Sequence, residues 1–209
     1  MTNNEETRLN ILEKSRKLFL SSGFSKVTTE DIAGSIGVSK KTLYKYFSSK
    51  EELLESSIFQ MLRDTGARIE NTVNNESIVF PEKLVLVREI VLETVNSLKP
   101  EFLRDIRKNA RSLWQKIEVF RREKLSGNIS TLIRIGKSQG YIRDKFNEGI
   151  FLVIFLNLVD GTINPDSLSE SNYSAEELLE GIFTLMFIGA LTEKGRKQFP
   201  VMRTREDTK

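Results

Sequence analysis

The chain has 209 residues, 39% hydrophobic and 29% charged, with no cysteine and no histidine. That composition is that of an ordinary globular protein, and it excludes a disulfide framework, Cys/His zinc sites and Cys–His or Ser–His–Asp catalysis. Net charge is only +3, but residues 1–50 hold nine Lys/Arg against five Asp/Glu, whereas the rest holds 23 against 24, so the positive excess sits in the N-terminal quarter.

Residues 6–22 place Leu9, Leu12, Leu18 and Phe19 at helical spacing. Gly23 offers a left-handed stop, and Phe24 an apolar residue to pack back on the last turn. Residues 28–37 predict a second, shorter helix, with Thr28 and Asp31 as a capping pair and Ile32, Ala33 and Ile36 inward. Gly37 takes the tight turn and Ser39 is an N-cap for a third helix whose buried side is Leu43 and Phe47. Two short helices across a three-residue turn are the sequence form of a helix-turn-helix.

Between Ser39 and Lys50 there are four lysines, two tyrosines and no acidic residue. With Leu43 and Phe47 inward, Lys40, Lys41, Thr42, Tyr44, Lys45 and Tyr46 are left for the outer face and the first turn. Lysines neutralise phosphates, hydroxyls bond to phosphate oxygens, and only the first turn of such a helix reaches base edges. A lysine cluster alone is usually a solvated face; the Gly37 turn, the Ser39 cap and the missing acids together point to DNA.

A fourth helix starts at Ser48 or Ser49 and continues to about residue 70 on a stripe of Leu53, Leu54, Ile58, Met61, Leu62 and Ile69. Residues 71–81 lose the period and read as a frayed end and a loop; 82–98 are helical again, and Pro100 opens the next helix. Residues 112–140 predict one long helix or two in series. "YIRDKFN" reads as a turn, 148–163 and 175–193 as two apolar helices, and "NPDSLSESNYS" as the loop between them. No strand or internal repeat is evident. Both apolar runs are about half the roughly 20 residues a membrane span needs, and nothing argues for secretion, so the reading is cytoplasmic.

The ordered string "ILEKSRKLFLSSGFSKVTTEDIAGSIGVSKKTLYKYFSSKEEL" resembles the N-terminal domain of the TetR (tetracycline-repressor-like) family of bacterial transcriptional regulators. The resemblance covers about a quarter of the chain. It implies an all-α fold with an N-terminal three-helix helix-turn-helix domain and a larger C-terminal helical domain for effector binding and dimerisation. The expected layout is residues 1–50 for DNA, 51–198 for ligand and dimer contacts, and a disordered tail over 199–209. By the same resemblance Thr29 bonds phosphate, Ser39, Lys40, Lys41 and Thr42 lie in or beside the major groove, Tyr44, Lys45 and Tyr46 flank the backbone, and Lys50 fixes a phosphate. Many members carry Gly where this chain has Lys41, which offers a long donor instead.

Two further groups are candidates. Phe151, Phe155, Leu158, Ile182, Phe183, Met186 and Phe187 lie on helices apolar on most sides, which suits a four-helix homodimer interface as well as plain core. Phe102, Leu103, Trp114, Ile117 and Phe120 either line a ligand cavity or fill the core. The basic run 107–124, seven Lys/Arg against two Glu, is a solvated face or attracts an acidic or acyl ligand. The expectation is thus a non-enzymatic, homodimeric repressor of a double-stranded operator, without cofactor, metal or membrane, released by a small molecule. The rivals are an all-α enzyme or carrier, and an interaction module that applies its basic helix to an acidic protein or membrane surface.

Overall fold

The computed structural model describes residues 3–198, so the expected tail over 199–209 lies outside the described residues. Eleven helices are found among them, and no strand beyond a single bridge between Ile142 and Leu191. They are α1 (Asn3–Ser22), α2 (Thr29–Ile36), α3 (Lys40–Tyr46), α4 (Lys50–Asn74), α5 (Phe80–Asn96), α6 (Pro100–Asn109), α7 (Arg111–Ser138), α8 (Glu148–Thr162), α9 (Pro165–Glu170), α10 (Ala175–Ala190) and α11 (Glu193–Gln198).

Two compact units are built from these helices. The first takes the chain up to Asp64 together with Ser97–Phe120; the second takes Thr65–Asn96 together with the chain from Arg121 on. Packing therefore groups α6 and the start of α7 with the helix-turn-helix, beyond the 1–50 span read from the sequence.

In the first unit Ile11, Phe19, Ile32, Leu43, Phe47, Leu53 and Leu54 are all but fully buried, and Phe102, Ile106, Leu113 and Trp114 close the same core. Each of these positions is the inward register of its helix, so hydrophobic burial fixes how α1 to α4 and α6 pack. The aromatic staple expected at the first stop is present: Phe24 is buried with its ring 5.9 Å from that of Phe19. The second unit packs α5 against α10 and α10 against α8. Its centre is a phenylalanine stack in which Phe155, Phe183, Phe187 and Phe151 have centroids 5.3–6.2 Å apart.

Two local readings needed correction. α4 runs to Asn74 because the end of its apolar stripe, Ile69 and Val73, is buried. The carbonyls of Thr72, Val73 and Asn75 at that end accept from the buried Lys83 ammonium of α5. The loop after α8 contains α9, started by Pro165 and by Asn164, whose side chain accepts from the amides of Asp166 and Ser167. The stretch read as one long helix or two in series is the single helix α7, and Gly136 within it lets the buried Phe80 and Ile142 approach.

Candidate nucleic-acid interface

The turn between α2 and α3 is fixed by caps at both ends. Thr28 Oγ1 accepts from the Asp31 amide at 3.1 Å while the Asp31 carboxylate takes the Thr28 amide at 2.9 Å, a closed capping box. These bonds hold the Asp31 carboxyl below its ordinary value. At the other end Gly37 adopts φ +81°, and its amide donates to the carbonyls of Ala33 and Gly34. A left-handed residue there costs glycine nothing and other residues about 1 kcal/mol or more. Two residues on, Ser39 Oγ accepts from the Thr42 amide at 3.0 Å and starts α3.

That geometry turns Leu43 and Phe47 inward and leaves the opposite side of α3 in water. Ser39, Lys40, Lys41, Tyr44 and Lys45 are exposed, and Thr29, Thr42 and Tyr46 are half-buried. Lys41 and Lys45 have no polar partner among the described residues. Tyr46 packs on the core of the unit, whereas Tyr44 leaves 46% of its surface open. Ser39 and Thr42 are tied to each other, with their hydroxyls 2.9 Å apart, so both help to begin the helix.

Lys40 is not free. Its ammonium is paired with Glu30 Oε1 across the turn, and Thr29 Oγ1 donates to the second oxygen of the same carboxylate at 3.1 Å. The bond to Lys40 holds the Glu30 carboxyl below its usual range, and the same bond raises the Lys40 ammonium. The acid-free stretch from Ser39 to Lys50 thus gains an acid from α2 in space. No signal within that stretch reveals it; the ten-residue span across the tight turn does.

Lys50 is half-buried at the first residue of α4. Its ammonium donates to the carbonyls of Phe24 and Val27, both at 3.1 Å, and lies 4.3 Å from the centre of the Phe24 ring. From the other side of the same loop, Asp105 of α6 accepts from the Ser25 amide at 2.8 Å and from the Ser25 hydroxyl. Asn109 adds bonds to Ser25 Oγ at 2.9 Å and Asp105 at 2.7 Å. Burial pushes the Asp105 carboxyl up, but the bonds from Ser25, Asn109 and the Phe24 amide outweigh it and leave it below its ordinary value. The loop that leads into Thr28 and Thr29 is therefore held by a cation from α4 and a carboxylate from α6. Neither Asp105 nor Asn109 stands out in the sequence, because their partner is about 80 residues away.

The other candidate groups fall differently. Phe151, Phe155, Ile182, Phe183 and Phe187, read as interface residues, are buried inside the second unit, and Met186 is half-buried against them. Only Leu158 is exposed. The exposed apolar residues of α8 and α10 are instead Ile150 (59% exposed), Val153 (62%), Ile154, Leu158 and Leu185 (78%). Of the five proposed ligand residues, Phe102 and Trp114 are buried in the core of the first unit and Leu103 and Ile117 pack on it. Phe120 sits edge-on to Phe59 with centroids 5.5 Å apart. Phe102 borders an open cleft of about 400 Å³ between the end of α1 and the start of α6. Phe102 and Trp114 are thus core residues, whereas Leu103, Ile117 and Phe120 are half-buried.

The sequence model of the family described as "Bacterial regulatory proteins, tetR family" matches residues 11–56, which cover α2, α3 and the adjoining parts of α1 and α4. The chain is 26% identical over 184 residues to the uncharacterized HTH-type transcriptional regulator YvaF of Bacillus subtilis (strain 168), spanning 88% of this chain and 95% of that protein. Among solved structures, a TetR-family transcriptional regulator from Agrobacterium tumefaciens superposes with a TM-score of 0.66 at 17% identity, covering 91% of this chain and all of that one. The FadR regulator of Bacillus subtilis, solved with stearoyl-CoA, superposes with a TM-score of 0.64 at 20% identity, covering 87% and 98%. At such identity these two likenesses speak for the fold. Among the described residues no helix is long and apolar enough to cross a membrane.

Proposed function

The chain belongs to the TetR family and is a helix-turn-helix, DNA-binding transcriptional regulator; from that premise we propose that it acts in the cytoplasm as a homodimeric repressor of a pseudo-palindromic operator, released by a small ligand. The observation that carries the proposal is the exposed side of α3. Lys41, Tyr44 and Lys45 stand in water on a helix whose first turn is capped by Ser39 and whose inner side is locked by Leu43 and Phe47.

In this reading Lys40, Lys41 and Thr42 lie in or beside the major groove. Thr29, Tyr44, Lys45, Tyr46 and Lys50 face the phosphates, and Ser39 sets the first turn. Residues 1–50 act as the reading head and 51–198 as the ligand and dimer half. Two reading heads would occupy successive major grooves about 34–36 Å apart or somewhat more. The apolar face of Ile150, Val153, Ile154, Leu158 and Leu185 supplies the dimer contact, since so large a solvated apolar patch is costly on a monomer. A ligand that prefers the conformation with misaligned heads by about 1–3 kcal/mol would weaken operator binding 5- to 150-fold. Long-chain acyl-CoA is the first probe to try, on the strength of the fold shared with FadR.

Selection of bound sequences from a random duplex pool, at physiological salt with excess competitor, tests the proposal. An enriched inverted repeat supports a dimeric reader. A folded dimer that enriches nothing refutes it and returns the basic helix to an acidic protein or membrane surface. The rival of an all-α enzyme finds no support in the relatives, which are transcriptional regulators.

A further inference from the structure

Two side chains assigned to DNA are held by one carboxylate in the free protein. Glu30 Oε1 takes the Lys40 ammonium, and Glu30 Oε2 takes the Thr29 hydroxyl at 3.1 Å. Glu30 and Lys40 are open to solvent and Thr29 is half-buried, at the start of α2 and α3, with about half of the Lys40 side chain exposed (47%). One ammonium and one hydroxyl on two oxygens of a single anion is also how Lys and Thr grip the two free oxygens of a backbone phosphate.

We propose that Glu30 is an internal competitor for one DNA phosphate: it occupies Thr29 and Lys40 in the free protein and is expelled when that phosphate arrives. The inference rests on the DNA-binding reading given above. It makes Lys40 a ligand of the backbone and leaves base readout in the first turn to Lys41 and Thr42.

Three consequences follow from the exchange. Breaking the pair and leaving Glu30 beside a phosphate lowers affinity. Every duplex presents the phosphate, so the loss is the same for operator and for unrelated DNA, and preference is untouched. Finally, Lys40 is already neutralised before DNA arrives. A cation released from the phosphate is offset by one drawn to the freed Glu30, so binding is less salt-dependent than a count of lysines suggests. Glu30 thus sets the absolute affinity from which a modest ligand effect releases the protein.

The test uses the full chain, the duplex recovered by selection and a scrambled duplex of equal length. Glu30→Gln keeps the length and an acceptor for Thr29 but removes the charge; the capping box of Thr28 and Asp31 remains, and the melting temperature checks the fold. Dissociation constants are measured between about 50 and 200 mM salt. Glu30→Gln is expected to bind both duplexes about two- to fivefold tighter, by the same factor. Its log–log salt slope should steepen by up to about 0.9. Lys40→Met should weaken both duplexes and abolish the gain in the double variant. An unchanged affinity and slope, a gain confined to the selected duplex, or a gain that persists without Lys40 each overturns the proposal. A wild-type protein that binds both duplexes alike fails the sequence-reader interpretation itself, and that result is visible before Glu30 is altered.

Discussion

Replacing Leu185 by Glu should split the proposed dimer and leave the fold intact. Leu185 of α10 keeps 78% of its surface in water on the isolated chain. Full burial of a leucine side chain stabilises by roughly 1.5–3 kcal/mol. Covering the exposed share is therefore worth about 1–2.5 kcal/mol, and a two-fold axis repeats every contact, so two copies contribute about 2–5 kcal/mol. Losing it raises the dimer dissociation constant at least about thirtyfold, at 1.4 kcal/mol per decade, before the cost of burying two carboxylates is added. Sedimentation velocity over a dilution series reads the constant directly. The melting temperature of the variant monomer should stay near that of the wild-type monomer, because a solvated position shifts stability by only about 0.5 kcal/mol. Phe155→Ala is the contrasting control. That ring is buried among Phe151, Phe183 and Phe187, and its loss should cost about 3–5 kcal/mol of folding stability. Val153→Glu should repeat the Leu185 result from α8. If both Glu variants dimerise as the wild type does, the α8–α10 face is not the interface and the assignment fails.

Lys41→Ala should relax preference at one base pair by about 1–3 kcal/mol, seen as a flattened position in a repeated selection. Lys50→Met should act otherwise. It leaves the carbonyls of Phe24 and Val27 without their cation, so denaturant unfolding should show a loss of about 1–3 kcal/mol together with uniformly weaker DNA binding. Equal stability of Lys50→Met and wild type would show that the loop does not need it. In acid, Asp31 is held below its ordinary value of 3.8 by the Thr28 bonds, and Glu52 below 4.5 by the Ser48 bonds. A depressed folded value gives support that is complete above the ordinary value and lost as pH falls through the depressed one. Melting temperature should be flat from about pH 7 to 5 and fall below about pH 4, less so in Asp31→Asn; a rise on acidification would contradict the caps. Gly136→Ala would place a methyl 2.7 Å from the Phe80 ring and 2.8 Å from Ile142, and calorimetry should show destabilisation of about 1–3 kcal/mol.

The parts of this molecule legible in its sequence are those settled within one turn of helix. Thr28 with Asp31, Gly37 and Ser39 each answer a backbone demand that a few neighbouring residues can meet alone, and each appears where the pattern put it. The inward residues of α1 to α4 follow for the same reason, because a three-to-four-residue period has one side to bury. α8 and α10 defeat that logic. They are apolar on most sides, so periodicity could not tell the residues that meet inside the unit from those facing outward. The large phenylalanines were the natural choice for an interface. Volume settled it the other way: the rings filled the core, and the aliphatic residues Ile150, Val153 and Leu185 remained outside.

The electrostatics of the reading head were hidden by distance along the chain. A run of twelve residues without an acid suggests a row of uncommitted lysines. Yet Lys40 meets Glu30 from ten residues upstream and Lys50 meets the carbonyls of Phe24 and Val27 from more than twenty. Of the four lysines, Lys41 and Lys45 are the ones with no polar partner among the described residues. The two engaged lysines tie α3 and α4 to the residues that lead into and begin α2. The two uncommitted ones stand on the open side of α3, where nothing among the described residues competes for them. A charge count along the stretch gives all four the same weight, whereas the folded unit divides them into two already engaged and two without a polar partner among the described residues. The salt dependence of binding should accordingly reflect fewer lysines than the sequence offers.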